Sequence, residues 1–208
     1  SIQDEINPEN RNPELDLYDL KNPNQPPYSS DYVEHYRAAQ KIRISRITTE
    51  VDKTLAKLKA KNDGEVERPF IVHRTMADPR FLDVELEPNG RKPNWCFLGN
   101  PKTVNTGPAG IARFSTLRAW LSQWSERSNA NGITCAKRIE TPLLLLENEA
   151  DDATPPSHTQ EIFKASASPD KIMKQVKGAN HYYKDQPEKL KEAVKMVGDW
   201  VLDHCQIS

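Results

Sequence analysis

The sequence has no charge imbalance, no cysteine motif and no apolar run long enough to cross a membrane. Its 208 residues carry 29 Lys and Arg against 30 Asp and Glu, so the formal net charge is -1. A nearly neutral chain gives no reason to expect nucleic acid or a membrane surface as a partner. The longest aliphatic run, Leu143–Leu146, covers a small part of a bilayer, so we expect neither a membrane span nor a signal peptide.

The cysteines and histidines lack the spacings of a metal site. Cys96, Cys135 and Cys205 lie far apart without a CxxC pair, and no HxxxH pair occurs. This pattern argues against a zinc site and against a disulfide framework. We therefore expect no metal and no other cofactor. Widely spaced, reduced thiols are typical of a cytoplasmic protein, which is the location we predict.

The first half of the chain, residues 1–135, predicts an extended arm followed by a helical layer. Residues 1–30 are rich in Asn, Pro and Asp, a composition unsuited to a helix or a central strand. Asp31 is the predicted N-cap of a long helix, with Glu34 as its capping-box partner. Apolar residues then recur at spacings of three and four, as on one face of a helix: Ile44, Ile47, Val51, Leu55 and Leu58.

Two further features of this half enter the prediction. Residues 62–64, Asn-Asp-Gly, are typical of a helix end. A second amphipathic helix is predicted over residues 110–127, with Ser115 in its middle, followed by a polar linker over 128–140. Because the apolar stripe of the long helix is narrow, we expect a lid or an outer layer here.

The second half, residues 136–208, changes character. The run at 142–146 predicts a strand that is buried on both faces, and residues 171–176 predict a second strand. Helices are predicted around 157–167 and from Pro187 onward. This alternation is typical of an α/β fold. The last helix has a predicted buried face of Leu190, Val194, Val197 and Val201.

Two strands are too few for a stable sheet of this kind, so we expect further strands from elsewhere.

Acidic residues follow the first of these strands in a specific pattern. Residues 142–158 read PLLLLENEADDATPPSH, with Asp151 three residues after Asn148 and four before Pro155. This segment resembles the seventh strand and acid loop of α/β-hydrolases, and the resemblance implies that Asp151 is the acid of a catalytic triad. Asn148 stands where the family usually has glycine. Asp152, also four residues before a proline, is the alternative acid.

A histidine follows the second strand. Residues 171–183 read KIMKQVKGANHYY, and this segment resembles the eighth strand and histidine loop of the same family, with His181 at the catalytic position. Because the carboxyl ends of parallel strands meet at one sheet edge, Asp151 and His181 should lie close together. A carboxylate there would fix the imidazole tautomer and stabilise the imidazolium. The order of acid before histidine also matches the family.

The family's nucleophile elbow, G-x-S-x-G, occurs nowhere in this sequence. The resemblance therefore implies the C-terminal part of an α/β-hydrolase, 136–208, carrying a mainly helical cap, 1–135. The sheet would be completed by another chain that holds the serine and the oxyanion hole. Because the sequence begins on Ser1 without Met, we expect that partner to come from the same precursor by proteolytic maturation. The resulting heterodimer should have a large hydrophobic interface.

Four aromatic residues are candidates for contact with a small-molecule substrate: Tyr182, Trp120, Trp124 and Phe114. Packing within the cap is the favoured alternative for most of the cap aromatics. His73 and His158 are interpreted as structural or surface residues.

The predicted activity is hydrolysis of a carboxylic ester, a lactone or an amide. Two alternatives remain open. Ser1 could act as an N-terminal nucleophile with its own amine as base, or the chain could be a non-catalytic regulatory subunit that has lost its chemistry.

Overall fold

The computed structural model describes residues 13–72, 78–107 and 114–204. Helices combine with two small two-stranded sheets, one antiparallel and one parallel, so the chain is a mixed α/β protein. The described residues form two compact units. The first comprises the chain up to Pro79 together with Asn100–Ala130, and the second comprises Arg80–Gly99 together with the chain from Asn131 onward.

These boundaries differ from a division at 135/136. The segment 80–99 and residues 131–135 belong to the same unit as the parallel sheet, although the sequence places 80–99 well before it.

The first unit is built on one long helix. Its elements in chain order are α1 (Ser30–Lys61), β1 (Pro69–Ile71), α2 (Pro101–Thr106), β2 (Phe114–Thr116) and α3 (Leu117–Ala119), which continues as a π-helical turn (Trp120–Trp124). The N-cap of α1 is Ser29 and not Asp31, because the Ser29 side chain accepts the Tyr32 backbone N–H. The predicted C-terminal end is confirmed, since Asn62 caps the helix in a left-handed conformation.

The apolar stripe of α1 forms the core of this unit, as the periodicity predicted. Val51 and Leu58 are buried together with Val72, Leu117 and Trp120. Ile44, Ile47 and Leu55 pack around them. The arm that precedes α1 is tied to the helix by the Tyr32 hydroxyl, which donates to the Glu14 carbonyl at 2.8 Å.

The helix predicted over 110–127 is present over Leu117–Trp124 among the described residues, but the prediction is wrong for 114–116. Phe114–Thr116 pairs antiparallel with β1, so Ser115 lies in a strand and not in a helix. The Thr116 side chain then accepts the Ala119 N–H and starts a short helix there. Pairing with β1 satisfies the backbone hydrogen bonds of 114–116. The spacing of apolar residues along the chain, on which the helix prediction rested, carries no information about a pairing partner that is distant in sequence.

The second unit contains the parallel sheet and three helices: α4 (Gly132–Ala136), β3 (Leu143–Asn148), α5 (Pro156–Ala165), β4 (Lys171–Val176) and α6 (Pro187–His204). The predicted strands and the two predicted helices are confirmed, and α4 lies in the segment that was predicted as a polar linker. Short 3₁₀ turns at Pro79–Phe81 and Val84–Leu86 shape the 80–99 segment.

The core of the second unit is small. It consists of Val176, Ala179 and Ala193, with Leu146 and Tyr183 packed against them. Every residue of β3 is half-buried, which differs from the predicted burial on both faces. The reason is that β3 has a single neighbour, β4, among the described strands.

The predicted buried face of α6 is exposed. Leu190, Val194, Val197 and Val201 all present large solvent-accessible areas, and Ala193 is the only buried residue of the helix. The periodicity of the stripe was identified correctly. A two-stranded sheet, however, offers too little apolar surface to cover it.

Within the described part of the chain, no helix is both long and apolar enough to span a membrane.

Two valines of the second unit provide a test of its core. Val176 is fully buried in β4, whereas Val194 on α6 is 62% exposed. We expect Val176→Ala to lower the free energy of unfolding by about 2 kcal/mol, because it removes two buried methyl groups and leaves a cavity. Val194→Ala, the matched control, should change it by less than about 0.5 kcal/mol. Urea denaturation of the isolated chain measures both, and equal effects would contradict the assigned core.

Candidate active site

The loop after β3 holds Asp151 in a tight turn. The Asp151 N–H donates to the Asn148 carbonyl at 3.1 Å. Its carboxylate oxygen Oδ1 accepts the backbone N–H groups of Ala153 and Thr154, both at 2.7 Å. Such a turn is the usual local use of an aspartate side chain. Here it also fixes the direction of the carboxylate, which is mostly buried.

The loop after β4 brings His181 to this carboxylate. Nδ1 of His181 lies 3.1 Å from Oδ1 and 3.1 Å from Oδ2 of Asp151. The two side chains are 31% and 13% exposed, so the pair is shielded from water without being sealed off. In the neutral ring, this geometry favours the tautomer with the proton on Nδ1, which leaves the Nε2 lone pair to act as a base. Among the described residues, no hydrogen bond occupies Nε2.

Parallel pairing brings the two loops together. β3 and β4 are in register from Leu143 opposite Lys171 to Asn148 opposite Val176. The pairing continues past the strands, since the Ala150 N–H donates to the Ala179 carbonyl at 2.9 Å. Asp151 and His181 each follow this last pair within two residues, so the sheet register sets their separation.

Asp152, the alternative acid, has a different task. Its Oδ1 accepts the backbone N–H of His181 at 3.2 Å, and its own carbonyl accepts the Phe97 N–H at 3.1 Å. Asp152 is buried. The two adjacent carboxylates therefore hold the same histidine at two points, Asp151 at the ring and Asp152 at the main chain. Of the two, Asp151 is the one whose carboxylate faces the imidazole ring.

Asn148, the last residue of β3, connects the two loops. Its amide donates to the Asn180 carbonyl at 3.0 Å, and its Oδ1 accepts the Tyr183 hydroxyl at 2.7 Å. Asn148 therefore bonds on both sides of His181 in the chain. Tyr183 has a φ of 54°, a conformation that is uncommon outside glycine and asparagine. These bonds hold the histidine loop against the end of β3.

The segment 80–99 supports the acid loop from another side, and sequence inspection missed this role. The Asn89 amide donates to the Asp151 carbonyl at 3.0 Å, and the Gly90 N–H donates to the Glu149 carbonyl at 3.2 Å. A Cβ at position 90 would lie 2.8 Å from the Glu149 carboxylate, so any other residue there would have to displace that side chain. No motif in the segment indicates this contact, because the partners are about sixty residues apart.

Glu87 anchors the same segment to α5. Its carboxylate accepts the Ser157 N–H and pairs with Arg80 at 2.9 Å. Burial alone would raise the pKa of Glu87, but the bonds from Ser157 and Arg80 outweigh it and bring the pKa below its ordinary value.

The four candidate substrate residues fall in different places. Tyr182 lies beside His181, with ring centroids 4.7 Å apart, and is well exposed. Trp120 is buried in the core of the first unit, where its indole N–H donates to the Thr48 hydroxyl at 3.1 Å. Phe114 and Trp124, in the same unit, are exposed. Packing therefore accounts for Trp120, while Phe114 and Trp124 stay predictions.

Three other candidates of the sequence remain: His158, Ser1 and His73. His158 is exposed in the first turn of α5, and Ser1 and His73 lie outside the described residues. Within the described ranges, no group of three or more His, Cys, Asp or Glu side chains is placed to hold a metal ion.

Fold and site together define a mixed α/β protein with an aspartate–histidine pair at the carboxyl ends of two parallel strands. No protein-family model and no curated protein matches the chain. Among solved structures, the chain is similar to the crystal structure of Paleococcus ferrophilus monoacylglycerol lipase, with 23% sequence identity and a TM-score of 0.40. The similarity covers 73% of this chain and 52% of the lipase chain, so this chain spans about half the length of that protein. A TM-score of this size does not by itself establish a common fold.

The Asp151 contact predicts the tautomer of His181. In the wild-type chain the neutral ring should carry its proton on Nδ1, because that position faces a carboxylate. Asp151→Asn should shift the population toward the Nε2–H tautomer, because the asparagine amide can donate a hydrogen bond to Nδ1 as well as accept one from it. Long-range ¹⁵N–¹H spectra of labelled histidine report the two forms.

Asp199→Asn is the control for this measurement, because Asp199 pairs with Lys195 on the exposed side of α6. It should leave the His181 spectrum unchanged. An identical tautomer population in wild type and Asp151→Asn would show that the carboxylate does not hold the ring in solution.

Glu87 predicts a pH dependence of stability. Its pKa is lowered in the folded state, so its contribution is present above the ordinary glutamate pKa of about 4.3 and is lost as the pH falls through the lower folded value. Glu87→Gln should therefore flatten the fall in the free energy of unfolding below about pH 4.5. Urea titrations at several acidic pH values measure the slope. Glu85→Gln, at an exposed position two residues earlier, is the control because it spares Arg80 and Ser157.

Proposed function

We propose that this chain supplies the acid and the base of a serine hydrolase of the α/β-hydrolase type, acting on a carboxylic ester, a lactone or an amide. The observation that carries the proposal is the pairing of both Asp151 carboxylate oxygens with Nδ1 of His181, at 3.1 Å each, at the carboxyl ends of adjacent parallel strands. The half-exposed imidazole has its Nε2 available to a substrate, as a general base requires.

In the proposed reaction His181 moves the protons and Asp151 positions it. A serine hydroxyl attacks the carbonyl carbon and gives its proton to Nε2. The bond to the leaving group then breaks, and the leaving oxygen or nitrogen takes that proton from Nε2. Water attacks the acyl-serine with the same base, and the serine regains its proton as the acid product leaves. Throughout, Asp151 stabilises the positive charge that forms on the ring.

The serine would come from residues outside this sequence, because no G-x-S-x-G elbow occurs in it. Exposed apolar side chains on the second unit support a partner surface there. They lie on β4 and α6: Ile172, Met173, Leu190, Val194 and Val197. Parallel sheets are normally covered on both faces, and two strands rarely stand alone. A partner chain that adds strands would cover this surface and bring the nucleophile.

Two further parts belong to the same proposal. The part of residues 1–135 that lies outside the unit of the site would act as the cap, with Phe114 and Trp124 as candidate substrate contacts. A cytoplasmic location follows from the cysteine pattern of the sequence, and no cofactor is required by the chemistry.

A non-catalytic subunit is the alternative that a specific observation favours. Asn148 replaces the family's glycine and bonds to Tyr183 and Asn180, so the loop is stabilised by contacts with a structural role of their own. Against this alternative, a purely structural loop would not need the imidazole Nδ1 to face both oxygens of a carboxylate. The Ser1 alternative gives Asp151 and His181 no task.

Labelling with a fluorophosphonate tests the proposal, because the reagent reacts with serines activated by a nearby base. The chain should be purified with whatever it binds in its natural source. A tag on a co-purifying chain is the expected result. His181→Ala should slow both labelling and ester turnover by at least about a thousandfold without releasing the partner.

His158→Ala is the matched control and should retain the rate of the wild-type protein, since His158 is an exposed histidine on α5. A tag on Ser1 would support the N-terminal nucleophile instead. No tag on any chain, or full activity in His181→Ala, would overturn the proposed triad.

A further inference from the structure

Three rings meet at the candidate site. The centroid of Phe97 lies 5.5 Å from that of His181 and 5.8 Å from that of Tyr182, and His181 and Tyr182 are 4.7 Å apart. Each pair is tilted or edge-to-face, the arrangement that aromatic rings prefer. Phe97 comes from the 80–99 segment and Tyr182 from the histidine loop, so two separate parts of the chain place a ring against the imidazole.

The backbone holds both rings in place. The Phe97 N–H donates to the carbonyl of Asp152, the residue that also accepts the His181 N–H. Cys96 and Gly99 close a tight turn around Phe97 with reciprocal backbone bonds of 2.9 and 2.7 Å. Phe97 is therefore fixed to the same loop that holds the histidine.

Tyr182 and Tyr183 point to different environments. Tyr183, in its left-handed conformation, packs against the core and donates to Asn148. Tyr182 is 64% exposed, although its ring faces Phe97 and His181. A tyrosine that served only to pack the loop would be buried, as Tyr183 largely is. Because its ring is ordered by aromatic neighbours and still open to solvent, Tyr182 is suited to contact a ligand.

We propose that Phe97 and Tyr182 form a binding site for an aromatic ring in the leaving group of the substrate. The proposal rests on the proposed hydrolase function and specifies its substrate class: esters or amides of an aromatic alcohol or amine, such as a benzylic one. It makes Phe97 and Tyr182 specificity-determining residues on the leaving-group side of the scissile bond.

The proton transfers of the proposed triad indicate that the ring belongs to the leaving group and not to the acyl group. Nε2 of His181 must come within about 3 Å of the leaving oxygen or nitrogen to return the proton to it. The acyl part is bonded at that moment to the serine and lies beyond it. Side chains that flank the imidazole therefore meet the leaving group first. A ring attached one carbon from the leaving atom would lie near Phe97 and Tyr182, whose centroids are 5.5 and 4.7 Å from that of the imidazole.

A leaving-group analogue tests the site without requiring turnover. The chain, with any partner it retains, is labelled with ¹³C at histidine Cε1 and titrated with benzyl alcohol. Cyclohexylmethanol, which is similar in size but lacks a π system, is titrated in parallel. The His181 signal, identified by its loss in His181→Gln, should shift saturably with benzyl alcohol and require at least about threefold more cyclohexylmethanol.

Two variants and an internal control complete the design. Phe97→Leu and Tyr182→Leu should each weaken benzyl alcohol binding by roughly three- to tenfold, because each removes one aromatic contact. His204 stacks on Trp200 with centroids 4.4 Å apart, on α6, and reports any general affinity of the alcohol for histidine–aromatic pairs. Its signal should not move.

The results separate this site from the proposed function. Equal affinity for the two alcohols, no effect of either variant, or parallel shifts of His204 would overturn the aromatic site even if serine labelling succeeds. Selective binding that depends on Phe97 and Tyr182 would support the site even if no serine is labelled, and would then leave it as a binding site without the proposed hydrolysis.

Discussion

The parallel pairing of β3 with β4 is the interaction on which the candidate site depends. The strands run in register to Asn148 and Val176, and backbone bonds continue the ladder to Ala150 and Ala179. Asp151 and His181 follow these last paired residues directly. Their side chains meet because the strand register determines at which residue each loop leaves the sheet. A slip of one residue would turn one of the two side chains to the other face and separate the pair.

The acid loop and the histidine loop are also held together by side chains that act only as hydrogen-bonding supports. Asn148 connects β3 to both ends of the histidine turn, and Asp152 holds the His181 main chain. Asn89 adds a bond to the Asp151 carbonyl. Supporting contacts of this kind limit the motion of a reacting side chain, which is what a preorganised site requires. The side chain of Asn148, at the end of β3, thus adds two hydrogen bonds to the histidine loop.

The same small sheet leaves apolar side chains of this unit exposed. The core beside this two-stranded sheet is a small cluster of Val176, Ala179 and Ala193, and the apolar stripe of α6 remains exposed. Proteins rarely expose contiguous apolar surface of this kind without a use for it. A chain that completes the sheet would cover the stripe and could supply the serine that this sequence lacks. The exposed surface and the missing nucleophile thus have one common explanation in the proposed heterodimer.

The sequence alone determined most elements of the second unit, the long helix and the chemical pair. Local signals were sufficient for β3, β4, α5, α6 and the stripe of α1, because periodicity and strand-length apolar runs depend on neighbouring residues. The resemblance of two short segments identified Asp151 and His181. The pairing of Phe114–Thr116 with β1, the support of Asp151 by Asn89 and the meeting of Phe97 with His181 were decided by the tertiary structure. Each joins residues about forty-five to eighty-five positions apart, and contacts at that separation leave no pattern in a single sequence.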